Sequence, residues 1–274
     1  MHARNALKWT PTAAQRNNQG MRPSFLVPTL PAVAFSACAL FAACSNAEAN
    51  EGPLAAELPE PMVFDLVHGL GVESGAFEAN VLSLFPIDDS TGRGIDWAPE
   101  IEYAVADGVA IEFELGFDDS ELEAYKFATQ FTFAESSYRQ HGSQFIVEKA
   151  NGADVWELTG LYLLGVELPN DWNSLSMFGL RSTTGDDADS STEALVNVAL
   201  FRELSDRLVF GVENDLAIES GEHWDLLVFP QLHYEISGFL SIQFGLGAEF
   251  SDEDTEFSTG FRLIYARPGG APWR

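Results

Sequence analysis

The sequence predicts an all-β fold, an antiparallel up-and-down transmembrane β-barrel of about twelve strands. Three observations predict it. Apolar and polar side chains alternate in one segment after another between residues 76 and 266, as half-exposed strands require, because successive side chains leave a strand on opposite faces. The segments run about 9 to 13 residues, longer than the ~5–6 usual in soluble sheets and close to the ~9–11 of a tilted membrane strand. The chain opens with an export signal and later offers no run of about 18 uncharged apolar residues, so any membrane passage must use a closed barrel.

The N-terminal element is residues 1–49. Met21-Arg22 reads as a second, genuine start, Phe25 to Ala43 is apolar and rich in small residues, and Ala47-Glu48-Ala49 supplies small residues at the −3 and −1 positions. Basic start, apolar core and A-x-A site make a secretory signal peptide, leaving Asn50 as the first mature residue. Leu40-Phe41-Ala42-Ala43-Cys44 offers the alternative of lipoprotein processing. Residues 50–75 carry prolines, glycines and glutamates without a strand pattern and read as a linker; residues 76–266 are the barrel and 267–274 a tail.

Within the barrel, strand centres fall near Val81, Glu102, Phe113, Phe127, Ile146, Leu161, Phe178, Val198, Val212, Val228, Phe244 and Leu263. The clearest is Val109 to Phe117, which sets Val109, Ile111, Phe113, Leu115 and Phe117 against Ala110, Glu112, Glu114 and Gly116. Asp107-Gly108, Ser205-Asp206 and Ser237-Gly238 read as tight hairpin turns at one rim. The opposite rim receives Pro86 to Asp96, Ser182 to Thr192 and Ser251 to Asp254, which are longer or strongly acidic. Short turns at one end and longer loops at the other are the membrane-barrel pattern. Ala134 to Gly142 and Leu168 to Asn173 depart from it, reading as long connections at the short-turn rim. A soluble β-barrel or sandwich is the competing architecture, since alternation fits both.

The last strand, Ser258-Thr259-Gly260-Phe261-Arg262-Leu263-Ile264-Tyr265, resembles the C-terminal assembly signal of Gram-negative outer-membrane barrels, with Gly260, Leu263 and Tyr265 at its marked positions. Leu204-Ser205-Asp206-Arg207-Leu208 and the strands rich in Tyr, Phe and Glu also resemble the transporter-like barrels of the phenol-degradation (MetA-pathway) outer-membrane group, over most of residues 77–266. The resemblance implies residence in the outer membrane, contact with its lipid and lipopolysaccharide, handling by the barrel assembly machinery, and passage of small solutes.

With apolar residues turned to lipid, the lumen receives Glu100, Glu102, Glu112, Glu114, Glu123, Glu213, Asp215, Asp225, Glu235, Glu249, Lys126, Arg207, Arg262, Gln231 and His233. Buried carboxylates must be hydrated or paired. Water gives an acidic, cation-preferring pore; pairing with Lys126, Arg207 and Arg262 gives a plugged, structural barrel.

Composition narrows function further. The 274 residues hold 42 acidic and 14 basic side chains, for a formal charge of −28, which excludes the basic surface that nucleic acid requires. Both cysteines, Cys38 and Cys44, precede Ala49, so the body has no thiol chemistry. His68, His141, His223 and His233 show no metal-binding spacing. Asp186, Asp187 and Asp189 lack the ligand pattern of a calcium loop and read as a solvated acidic loop. No nucleotide or other cofactor motif is present. A phospholipase-like role would need Ser143 with His141, or Ser241 with His233, and neither pair has a motif around it. The expectation is a non-enzymatic barrel without metal or cofactor.

Overall fold

The computed structural model describes residues 58–64, 66–87, 94–136, 138–219, 223–252 and 254–269. The expected signal peptide and the start of the expected linker lie outside the described residues.

Twelve strands close on themselves: β1 (Phe77–Pro86), β2 (Asp96–Ala106), β3 (Val109–Asp118), β4 (Glu121–Ser136), β5 (Arg139–Ala150), β6 (Trp156–Leu168), β7 (Trp172–Thr184), β8 (Ser191–Ser205), β9 (Leu208–Glu219), β10 (Trp224–Ser237), β11 (Leu240–Ser251) and β12 (Thr255–Arg267). Each pairs antiparallel with its sequence neighbours, and β1 pairs with β12 to seal the barrel. All-antiparallel closure leaves no open edge, which a lipid environment demands. At ~3.3 Å per residue and a tilt of ~40°, a 12-residue strand crosses roughly 30 Å, the hydrocarbon thickness of a bilayer.

Side-chain parity follows the sequence pattern. On β2, Ile101 is 52% exposed while the next residue, Glu102, is 1% exposed. Ile101, Phe113, Phe127, Val147 and Leu158 stand opposite one another on five successive strands and all face outward. Aromatic and branched cross-strand pairs of this kind stabilise the ladder, and a continuous exposed apolar belt of this extent is the surface of a barrel made for lipid. Toward the long-loop rim, Trp97 stacks on Phe117 at 4.3 Å and its indole N–H donates to the Asp119 carbonyl.

The turns differ in detail from the sequence expectation. Asp107-Gly108 is as expected, with Gly108 at φ 68° where a side chain would be strained. Ser205 and Ser237 belong to strands instead, and the turns are Asp206-Arg207 and Gly238-Phe239. The two supposed long connections at that rim are short, because β4–β7 extend past their apolar cores. Ser136 and Arg139 already bound the β4–β5 turn, and Leu168 and Trp172 the β6–β7 turn. Asn170 and Asp171 take the positive φ that the second of these turns needs. At the other rim the β1–β2 connection is the longest, while β3–β4 is a two-residue turn at Asp119-Ser120.

The segment read as a linker does not trail outside. Residues 58–76 include Leu58, Met62, Leu66, Val67, His68, Leu70, Val72 and Ala76, all buried, and their partners are inward-facing wall residues. We call residues 58–64 and 66–72 the plug.

Candidate functional site in the barrel lumen

The inner wall has two chemically different sides. On β5–β9, Ile146, Leu161, Leu163, Leu175, Met177, Leu195, Ala199, Phe201 and Ala217 point inward and form one cluster with Leu66, Val67, Leu70 and Val72 of the plug. On β1–β4 and β12 the inner face is ionic. Glu78 stands opposite Glu102, Glu102 opposite Glu112, and Glu100 opposite Glu114. Like charges in direct cross-strand register repel, so cations must lie among them. Lys126 Nζ bridges Glu112 at 3.0 Å and Glu114 at 2.7 Å. Arg262 on β12 reaches across the β1–β12 seam: its Nη2 pairs with Glu100, its Nε donates to Asn80 Oδ1 at 3.0 Å, and its Nη1 donates to the Pro61 carbonyl of the plug at 3.4 Å. Asn80 Nδ2 in turn donates to Glu78 Oε1 and Glu102 Oε1 at 2.9 and 3.1 Å.

A second anchor holds the plug's apex. Glu213 on β9 accepts the backbone N–H of Met62 at 3.0 Å, of Val63 at 3.1 Å and of Phe64 on its other oxygen. Behind it, His233 Nε2 donates to Gln231 Oε1 at 2.7 Å, and Gln231 Nε2 donates to Glu213 Oε2 at 3.0 Å. A single buried carboxylate thus receives three main-chain donors and one amide, the charge-assisted arrangement that carries the most energy per bond. Lower down, Gln144 accepts from Val67 N–H, Gln130 donates to the His68 carbonyl, and Thr132 Oγ1 accepts from Gly71 N–H. The plug leaves at the short-turn rim, where the Val72 carbonyl accepts from Gly108 and Gly75 N–H donates to Ala104.

The sequence-derived candidates divide accordingly. Glu100, Glu102, Glu112, Glu114, Lys126 and Arg262 form one ionic group. Glu213, Gln231 and His233 form the plug anchor, and Asp215 lies beside them, two residues along the same face of β9 and buried. Glu235 shares their parity but sits exposed near the short-turn rim, outside the packed region. Arg207 is a correction: it occupies the exposed β8–β9 turn and pairs with no lumen acid among the bonds described, because β8 and β9 end there. Gly260 faces inward beneath Met62 and Phe229, whereas Leu263 and Tyr265 face outward.

Sequence reasoning missed Arg181, which bridges Glu193 at 3.2 Å and Glu157 at 3.9 Å on the inner face of β6–β8. It also missed the plug. The available signal for both was the loss of alternation in β6–β8: inward Leu161, Leu163, Leu175, Met177 and Phe201 leave these strands apolar on both faces, which a water-filled lumen would not reward. The pairs considered for phospholipase-like chemistry do not form triads. His141 and Ser143 lie on the outward parity of β5, and His141 Nδ1 is bonded to Tyr162 Oη at 2.6 Å. His233 is bonded to Gln231.

Outside the strands, Asp154 ties two long-rim loops together. It accepts from Asp186 N–H, Lys149 Nζ and Trp156 Nε1, while its own N–H donates to Asp187 Oδ2. The Asp186 amide, first among these donors, holds the Asp154 carboxyl below the usual aspartate range. The acidic loop is therefore a hydrogen-bonded clasp, with Asp154 and Asp187 as its acceptors.

No family model and no curated protein matches the sequence. Solved structures do match the fold. The KdgM porin in complex with disordered oligogalacturonate aligns with a TM-score of 0.55 at 11% identity, over 69% of this chain and 98% of its own. The NanC porin aligns at 0.58 with 8% identity, over 68% and 98% respectively. At these identities the likeness is one of fold: it supports an outer-membrane-type barrel and does not reach the phenol-degradation group in particular. The chain is a closed twelve-stranded barrel similar in fold to these porins.

Proposed function

We propose that the protein is an outer-membrane channel for small solutes, shut at rest by residues 58–72 of its own chain. The observation that carries the reading is the anchoring of Met62, Val63 and Phe64 to Glu213 inside the lumen. A segment held by hydrogen bonds to wall side chains and by packing can undock without breaking any strand pairing, as a gate must. The fold shared with two porins supports a channel. The excess of wall carboxylates over Lys126, Arg181 and Arg262 favours neutral or cationic solutes once the segment is out. The outward Leu263 and Tyr265 suit lipid contact and recognition by the barrel assembly machinery, and the acidic loops suit divalent ions bridging lipopolysaccharide.

The second reading is a permanently closed structural barrel, favoured by the density of ion pairs in the lumen. Planar-bilayer recording separates the two. The intact chain should be silent or flicker briefly, and a chain lacking residues 58–72 should give stable, cation-preferring steps. Silence after the deletion would leave the structural barrel, and steady conductance from the intact chain would refute closure by the plug.

A further inference from the structure

Three buried side chains that share no linear motif meet where the plug lies against the ionic wall. They are His68 of the plug, Glu78 of β1 and Glu102 of β2. Direct register between Glu78 and Glu102 sets the two carboxylates side by side on the inner face, and one donor atom from each of the three residues lies within 4.8 Å of the others. All are buried, at 6%, 5% and 1% exposure. Both Oε1 atoms are turned to Asn80. Glu102 Oε2 has no hydrogen-bond partner, and its side chain is wholly shielded from solvent. The nearest guanidinium does not supply one: Arg262 Nη2 stands 3.8 Å from Glu102 Oε1 and 4.0 Å from Glu78 Oε1, and is engaged with Glu100. A carboxylate oxygen left in this state is strongly unfavourable unless a cation or a proton reaches it.

We propose that His68, Glu78 and Glu102 bind a divalent cation of the zinc class, clipping the plug to the wall through one ligand from the plug and two from the barrel. One imidazole and two carboxylates match the three-ligand sets of zinc sites that keep a fourth position for water. Magnesium and calcium prefer all-oxygen shells and do not need His68. Two carboxylates balance the ion's charge, which removes the like-charge conflict across the β1–β2 pair. Binding also has a local signature. His68 Nδ1 now accepts the Gly69 N–H at 2.9 Å. Coordination at Nδ1 uses that lone pair, and coordination at Nε2 places the ring proton on Nδ1, so either mode frees the Gly69 amide. The site stands whether or not the barrel conducts.

The test uses the full barrel in detergent, stripped with a chelator and then given zinc chloride alone. One zinc per barrel should be retained after desalting, with a raised unfolding temperature and a changed Gly69 amide resonance. His68→Ala and Glu102→Gln should each weaken binding by ~100-fold or more, beyond the 10–100-fold typical of residues that merely support a ligand; Asp187→Asn in the loop clasp should leave it unchanged. Should Glu102→Gln fail to fold, His68→Ala, which alters no strand, carries the comparison. Failure to retain zinc, equal retention by His68→Ala, or equal stabilisation by magnesium would each overturn the proposal.

Discussion

Replacing Glu213 with Ala removes the one side chain that receives three consecutive amides of the plug. A hydrogen bond to a charged group is worth about 1.5–3 kcal/mol net. The three bonds share one carboxylate, and the docked state must also bear the desolvation of that charge, so their sum is an overestimate. A net loss of ~3 kcal/mol is a reasonable centre, which shifts the docking equilibrium by about 100-fold. Hydrogen exchange reads this directly, because amide protection within a locally opening unit reports its opening free energy. In Glu213→Ala, the Met62, Val63 and Phe64 amides should exchange ~100-fold faster, and Val67 and Gly71 should follow if the plug leaves as a unit, with the strand amides unchanged. Glu213→Gln keeps one acceptor oxygen and should fall between. A change of less than about three-fold at the three amides, or a uniform acceleration across the strands, would refute the anchoring argument.

Other outcomes follow from the same geometry. Lys126→Met leaves Glu112 and Glu114 buried without their shared cation and should destabilise the barrel by ~3–5 kcal/mol in denaturant unfolding, whereas Arg207→Met on the exposed turn should stay within ~0.5 kcal/mol. Gly247→Ala places a Cβ 2.1 Å from the Phe229 ring; it should lower stability by ~1–3 kcal/mol, and Phe229→Leu in the same chain should recover part of the loss. The loop clasp should depend on pH. Because the Asp154 carboxyl is held below its ordinary value near 3.8, its contribution is present above that value and lost as pH falls through the lower one. The Asp186 amide resonance should therefore show a step in that acidic window that is missing in Asp154→Asn.

The strands were legible because each has one face in lipid and one in the lumen, so parity is written into every second residue. The inner residues of β1–β3 were legible for the same reason: a Glu between two apolar neighbours has one direction to point. Pairing among them was not, since Arg262 meets Glu100 and Pro61 only after β12 closes on β1, across most of the chain's length. The plug escaped because it has no period of its own. Its apolar residues are irregularly spaced around Pro61, Gly69 and Gly71, and their partners, Leu175, Met177 and Phe201 among them, are scattered over separate strands. Phe229 is an apolar residue on the otherwise polar inner face of β10; its ring lies over Gly245, Gly247 and Gly260 and packs with Met62, so this break in the alternation is the imprint of the plug.

The reach of Arg262 across the seam has a consequence for how the molecule is built. The β1–β12 pairing is the most non-local contact of the fold, and long-range strand pairings form late because loop closure must precede them. The plug is continuous with β1, and Arg262 on β12 binds the plug, β1 and β2 at once. Seating the plug therefore reinforces the seam that β12 makes with β1. A barrel that closes with its N-terminal segment outside leaves Arg262 without the Pro61 carbonyl it binds across the seam, which marks it as unfinished before it is released into the membrane.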